Sequence, residues 1–417
     1  MVVTYHEGIV MPEHTSIFEK VSTLGEVQEI YQWFTQMRAE QPAWFDKSSG
    51  CWHIFRYADV LRVVTDHAHF SSERRQNSVI RSENAGRSLI AMDPPDHRAY
   101  RNLVSPSFTP RALARLAGRI QQIAQELLDQ VRESGSMDLV SDFAYPLPTI
   151  VIAELLGAPT SDRPLFRQWA EGILSRQLSD GDFFKQEREI ESNEEIKRIQ
   201  QTFNEMSLYF QQMLKERQQH PREDMMSELQ EAEIDGERLD GRDVVSFCTL
   251  LLLAGHVTTT NLLQQAILNF DQHQEVRAYL QTHPQAMPEA IEEVLRYASP
   301  VWRLTRIAKE DEEIAGSAIP AGSLIFSWVA SANRDGEQFP NPEAFDPTRA
   351  PNRHVAFGHG IHFCVGAPLS RLEAAVALPM LLAQLPDLHV ENPRALEIQE
   401  SRILFGFKRM PVAFTAS

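Results

Sequence analysis

Cysteine is scarce in this sequence: 417 residues hold only Cys51, Cys248 and Cys364, far apart and with no CxxC pair. That excludes a disulfide framework, a four-thiolate iron–sulfur cluster and a structural zinc site, and the odd number suits a reducing compartment. Positive charge is scarce too. With 40 Lys+Arg against 57 Asp+Glu the net charge is −17, so the basic surface that nucleic acid or an anionic membrane requires is missing. Long apolar runs are also absent: a run such as Leu250 to Gly255 falls far short of the ~20 residues of a membrane span. The first twenty residues carry no basic segment followed by an apolar one. The expectation is a soluble, cytoplasmic protein with neither nucleic-acid nor membrane partners.

What is present is an ordinary globular composition, 43% apolar and 23% charged, at a length that can bury a large core. Apolar spacing through Ile30, Trp33, Phe34 and Met37 predicts a helix, CWHIFRY alternates like a strand, and Ala58 to Asp66 returns to helical spacing. From about Thr109 to Gln219 the pattern is mainly helical, punctuated at Gly135, Pro146, Pro159 and Gly181. The polar stretch 182–245 predicts solvated helices, because Phe183, Phe184, Ile190, Phe203, Met206 and Phe210 recur within it. A long helix from about Asp240 to Asp271 is apolar on every face at its middle, so it crosses the interior. Residues 301–330, with a Pro320–Ala321–Gly322 turn, predict a small antiparallel sheet, and the tail from His389 predicts short strands and hairpins. No stretch reads as a linker. The expectation is one domain over residues 1–417, mainly α with small β-sheets.

The most informative segment is FGHGIHFCVGAPLSRLE, Phe357 to Glu373. Gly358, Gly360 and Gly366 permit unusual backbone angles and close approach to a flat ligand, while a helix can begin just after Cys364. Backbone N–H groups and the helix dipole at that terminus favour a thiolate. A lone cysteine is most often a small buried hydrophobe, but a thiolate on a glycine-lined loop is what axial ligation of haem iron needs, where its electron donation favours O–O cleavage. A protease-type nucleophile paired with His359 or His362 would need an orienting group and an oxyanion hole that the sequence does not offer.

Here the chain resembles the cytochrome P-450 family of haem-thiolate monooxygenases, whose pattern F-x-x-G-x-x-x-C-x-G is matched by Phe357, Gly360, Cys364 and Gly366. The resemblance implies Cys364 as axial ligand of haem b, with Phe357, Gly358 and His362 against the cofactor. Glu293 and Arg296, at i and i+3 in EEVLRY, match the family's E-x-x-R; with Arg349 of FDPTR they are implied to form a buried structural network behind the loop. His97 and Arg101, four apart on one helical face, and Arg306 in RLTRIA match the family's propionate-binding positions. AGHVTTT, Ala254 to Thr260, resembles the oxygen-activation segment: Gly255 would let the helix loosen near the iron, and Thr258 would serve proton delivery, or bond back to its own helix. One departure is plain. Val257 stands where the family has Asp or Glu, and His256 lies roughly 100° around the helix.

The resemblance, running from about Asp93 to Phe405, implies the cytochrome P-450 fold and insertion of one atom of O2 into a small apolar substrate, by hydroxylation or epoxidation. A secondary metabolite, steroid, terpene or fatty acid fits. With no Gly-rich flavin or dinucleotide module in the chain, electrons would come from a ferredoxin or flavodoxin with an NAD(P)H-dependent reductase, and the protein would act as a monomer. By analogy the pocket draws on the loop 77–90 ending in Ile90, on Leu251, Ala254 and Val257, on Val301, Trp302 and Leu304, and on Leu404 and Phe405. Trp302 and Phe405 could stack on a ring, and Arg81 or Arg303 could pair with a carboxylate or lie on the surface. Two alternatives stay open: a peroxide-driven peroxygenase, and a haem-binding sensor or carrier without turnover.

Overall fold

Asp240 caps the longest helix, its side chain accepting the Arg242 N–H at 3.0 Å, and the helix then runs 32 residues, Gly241–Gln272. The computed structural model to which it belongs describes residues 21–73, 86–174, 194–234, 237–399, 401 and 403–416. Arg81, residues 77–85 of the pocket loop, and Phe183, Phe184 and Ile190 lie outside the described residues. From Thr259 to Phe270 every residue of the long helix is buried, as its all-round apolarity requires. It is the one described helix long and apolar enough to cross a membrane, yet 67% of its most apolar window is buried within the fold, which makes it a core helix. Helices Pro146–Leu156, Glu194–Gln219 and Ala367–Gln384 pack around it.

The predicted helix around Ile30 spans Leu24–Glu40, opened where the Glu26 carboxylate accepts the Thr23 N–H at 3.0 Å, and it buries Val27, Ile30, Tyr31, Phe34 and Met37. Pro146 does not interrupt a helix but starts one, Pro146–Leu156, because proline at the first turn forfeits only an N–H that has no helical partner. The polar stretch contributes Glu194–Gln219, which still buries Met206 and Phe210.

Within residues 301–330 the strands pair antiparallel as expected, Arg303–Ala308 with Leu324–Trp328 and Glu312–Ile314 with Ser317–Ile319, but the larger sheet that holds the first pair is mixed. Ala43–Asp46 and Cys51–Ile54 form an antiparallel hairpin with Trp44 opposite His53. Leu324–Trp328 lies parallel to Cys51–Ile54 and antiparallel to Arg303–Ala308, and Phe70–Ser71 completes five strands. The parallel pair joins segments some 270 residues apart, a pairing that local alternation cannot reveal. The tail strand Pro411–Ala413 pairs with His389–Val390 on one side and with Ser136–Asp138 on the other.

Candidate active site

Cys364 ends a tight loop. Gly358 and Gly360 hold φ of +69° and +71°, the left-handed region that costs other residues energy. The Gly358 N–H donates to Val355 C=O at 2.9 Å, and the Cys364 N–H donates to Phe357 C=O at 2.9 Å. At Gly360 a Cβ would lie 3.2 Å from Thr65 Cα, so the loop also presses on the helix Tyr57–Thr65. The helix Ala367–Gln384 starts three residues after the cysteine, as its Gly and Pro placement predicts.

Cys51 and Cys248 are buried, whereas Cys364 is accessible. Cys364 nevertheless sits deep, and desolvation pushes its thiol up. The backbone N–H groups of Gly366 and Ala367 and the charges of Arg101 and Arg371 pull the other way without prevailing. The helix terminus therefore contributes the stabilisation expected of it, but in the bare protein it does not by itself make a thiolate. A cation at the sulfur would.

On the long central helix, Ala254 is exposed and Thr258 half-buried, one turn apart, amid buried neighbours. The Thr258 hydroxyl donates to Ala254 C=O at 2.8 Å. Gly255 does not loosen the helix: a Cβ there would meet Ile152 at 3.2 Å, so its role is close helix packing. Val257 is apolar and only 4% exposed. His256 is fully buried, its Nδ1 hydrogen-bonded to Leu252 C=O, and burial pulls its pKa down to about 4.

A cationic cluster lies beside the loop. The rings of His97 and His362 are 4.3 Å apart, and the Nε2 of each is buried with no hydrogen-bond partner among the described residues. Burial, then Arg101, lowers the pKa of His97; burial, then Arg306 and His97, takes that of His362 down to about 3. Burial also pulls Arg306 down to about 10, and among the described residues its Nη1 bonds only the neighbouring Thr305 C=O at 2.8 Å. Asp93, the carboxylate acting on these groups, is engaged by Lys309 at 2.9 Å. The cluster is short of negative charge.

Behind the loop, Glu293 and Arg296 are fully buried and paired at 2.7 Å, and Arg349 Nε reaches Glu293 at 3.3 Å. Asn352 and the Asp346 N–H complete the carboxylate's bonds at 3.1 and 2.8 Å.

The cytochrome P-450 family model matches residues 12–404. Among curated relatives, cytochrome P-450 109 of Bacillus spizizenii is 39% identical over 383 residues, covering 92% of this chain and 91% of the relative. The erythromycin C-12 hydroxylase of Saccharopolyspora erythraea is 37% identical over 397 residues, covering 94% and 96%. A mutant of EryK in complex with erythromycin B superposes with TM-score 0.86 at 37% identity, covering 95% of this chain and 99% of that one. CYP109E1 of Bacillus megaterium in complex with testosterone gives TM-score 0.86 at 36%, covering 93% and 98%.

The chain belongs to the cytochrome P-450 family. It is a haem-thiolate monooxygenase carrying haem b, acting on a small apolar substrate with electrons from an external redox partner. The residues present fit that cofactor. Two orphaned imidazole nitrogens and an under-compensated arginine suit a group bearing two carboxylates, and an accessible sulfur on a glycine-lined loop suits a metal in a flat ring.

Elsewhere in the cytochrome the expected pocket is redrawn. Trp302 and Phe405 pack against one another at a tilt, centroids 4.7 Å apart and planes at 41°, and are 4% and 3% exposed. Arg303 is not at the surface: it is buried, its guanidinium 3.9 Å over the Phe326 ring. Leu251 is buried, Val301, Leu304 and Leu404 are half-buried, and Ile90 is 59% exposed. Val301 bridges Leu404, and Gln264 holds the same loop by accepting the Phe407 N–H at 2.8 Å. Sequence reading overlooked Glu292, Arg371 and His354, which form a cluster beside Phe357; Glu292 stands immediately before Glu293 and was the available signal.

Proposed function

We propose that this cytochrome P-450 hydroxylates or epoxidises a bulky apolar secondary metabolite or steroid, of macrolide or steroid size, with Cys364 as the axial ligand of the haem iron. Bound haem supplies the redox chemistry that activates O2. The observation that carries the reading is the accessible Cys364 on its glycine loop, together with the exposed Ala254 and half-buried Thr258 on the central helix. His97, Arg101, Arg306 and His362 would meet the two propionates, and Glu293, Arg296 and Arg349 would brace the loop from behind. Thr258, free to turn its hydroxyl away from Ala254, would hold a proton at the reacting end. With Val257 apolar and buried, water must bring that proton. Substrate size is supported by relatives named for erythromycin and seen with testosterone. Leu251, Ala254, Val301, Leu304, Leu404 and Ile90 would form the apolar walls. Residues 1–417 would act as one domain, a cytoplasmic monomer served by a ferredoxin or flavodoxin and its NAD(P)H-dependent reductase.

The test is the reduced, carbon-monoxide-bound absorption spectrum of wild type and Cys364→Ser. A thiolate-type band in the former and its loss in the latter is expected; a histidine-type band in wild type overturns the ligand assignment. Titration with erythromycin-type macrolides and with testosterone should displace water from the iron, read as a Soret shift, and no shift with either removes the proposed substrate class.

A further inference from the structure

We propose that Arg371, clamped by Glu292, is a positioning residue that holds Phe357 and sets the charge felt by the Cys364 sulfur. The inference rests on Cys364 being the ligand. Arg371 lies on the helix Ala367–Gln384, two turns beyond the cysteine, and its guanidinium stands 4.5 Å over the Phe357 ring. Two parallel bonds fix it there, Nε to Glu292 Oε1 at 2.6 Å and Nη2 to Glu292 Oε2 at 2.8 Å. Such a fork fixes direction as well as distance. Phe357 is the residue whose carbonyl accepts the Cys364 N–H at 2.9 Å, so the arginine holds the loop through the ring and its charge reaches the sulfur.

The carboxylate is itself held. Ala356 N–H donates to His354 Nδ1 at 3.2 Å, which makes Nδ1 the acceptor and leaves Nε2–H to donate to Glu292 Oε2 at 3.1 Å. The His354 side chain is nearly buried, 4% exposed. Desolvation would raise the Glu292 carboxyl, but Arg371 and His354 overcome it and hold it down to about 2. The pair is thus one cation and one anion. Adjacent residues of one helix divide the work: Glu293 turns to Arg296 and Arg349, and Glu292 turns to the helix that follows Cys364.

A charge whose field reaches the sulfur shifts the ferric–ferrous balance with a sign that packing alone does not dictate. Holoprotein variants Arg371→Gln, Arg371→Lys and Glu292→Gln, at matched haem content, are read by spectroelectrochemical midpoint potential and by the band position of the carbon monoxide complex. Removing the cation should lower the potential and removing the anion should raise it, each by about a threefold change in the ferric-to-ferrous ratio, ~30 mV at 59 mV per decade for one electron. Lysine should restore most of the wild-type value. Potentials that stay at the wild-type value, or that move the same way in Arg371→Gln and Glu292→Gln, overturn the proposal. If Arg371→Gln fails to hold haem, Glu292→Gln rising while Arg371→Lys stays put supports it, and both unchanged or both falling overturns it. A wild-type complex without the thiolate-type band would instead overturn the ligand reading beneath it.

Discussion

Thr258 is the residue whose hydroxyl has a choice. Bonded to Ala254 C=O it satisfies its own helix; turned outward it can hold water or a proton at the site. Val257, one position earlier, is sealed in apolar surroundings and cannot share that task. Thr258→Ala should therefore uncouple the enzyme, several-fold more hydrogen peroxide appearing per oxygen consumed, while Thr258→Ser, which keeps the hydroxyl, stays near wild type. Peroxide and oxygen measured together check this, and unchanged coupling in the alanine variant would remove the threonine from proton delivery. Glu293 has no such freedom. It is fully buried and accepts from Arg296, Arg349, Asn352 and the Asp346 N–H. Glu293→Gln leaves two guanidinium groups facing a neutral amide, and breaking a buried pair costs about 3–5 kcal/mol. Urea unfolding should show the midpoint falling accordingly.

At the scale of elements, the Cys364 loop depends on two left-handed glycines, and at Gly360 the space is taken as well: Thr65 lies 3.2 Å from where a Cβ would go. Gly360→Ala adds a backbone cost of about 1–2 kcal/mol to that overlap, so it should shift the loop and speed haem loss to an apo-globin trap, whereas Gly118→Ala, with open space around it, should not. This loop was legible in the sequence because its information is local: glycine spacing, one cysteine, and a helix start. The central helix was legible for the same reason, its apolarity on every side naming its burial within a residue or so of the observed ends. What could not be read was decided across long separations. The parallel pairing of Leu324–Trp328 with Cys51–Ile54, the packing of Trp302 against Phe405, and the Glu292–Arg371 clamp each join segments that carry no mark of one another. Arg303 shows the same limit: charge alone suggested a surface, whereas its guanidinium is buried 3.9 Å over the Phe326 ring.

For the whole molecule, the buried polar groups of the central helix set how stability depends on acid. His256 is enclosed beside Tyr145, ring centroids 5.4 Å apart, with its Nε2 unpartnered among the described residues. Burial pulls its pKa from 6.5 down to about 4, so it stays neutral when folded and takes up a proton more readily when the chain unfolds. A depressed folded-state pKa gives stability that is fully present above the unfolded value and is lost as pH falls from 6.5 toward 4. The difference amounts to about 3 kcal/mol across that window, of which about 2 kcal/mol is gone by about pH 5. Glu292, held down to about 2 against the desolvation that opposes it, acts in the same direction but lower, between 4.5 and 2. His256→Met keeps the volume and removes the titrating group. Its urea midpoint should match or exceed wild type at about pH 7 and fall less on going to about pH 5, where the wild-type histidine is charged only in the unfolded chain. Equal losses in the two proteins over that interval would show that the acid limb of stability comes from groups other than His256.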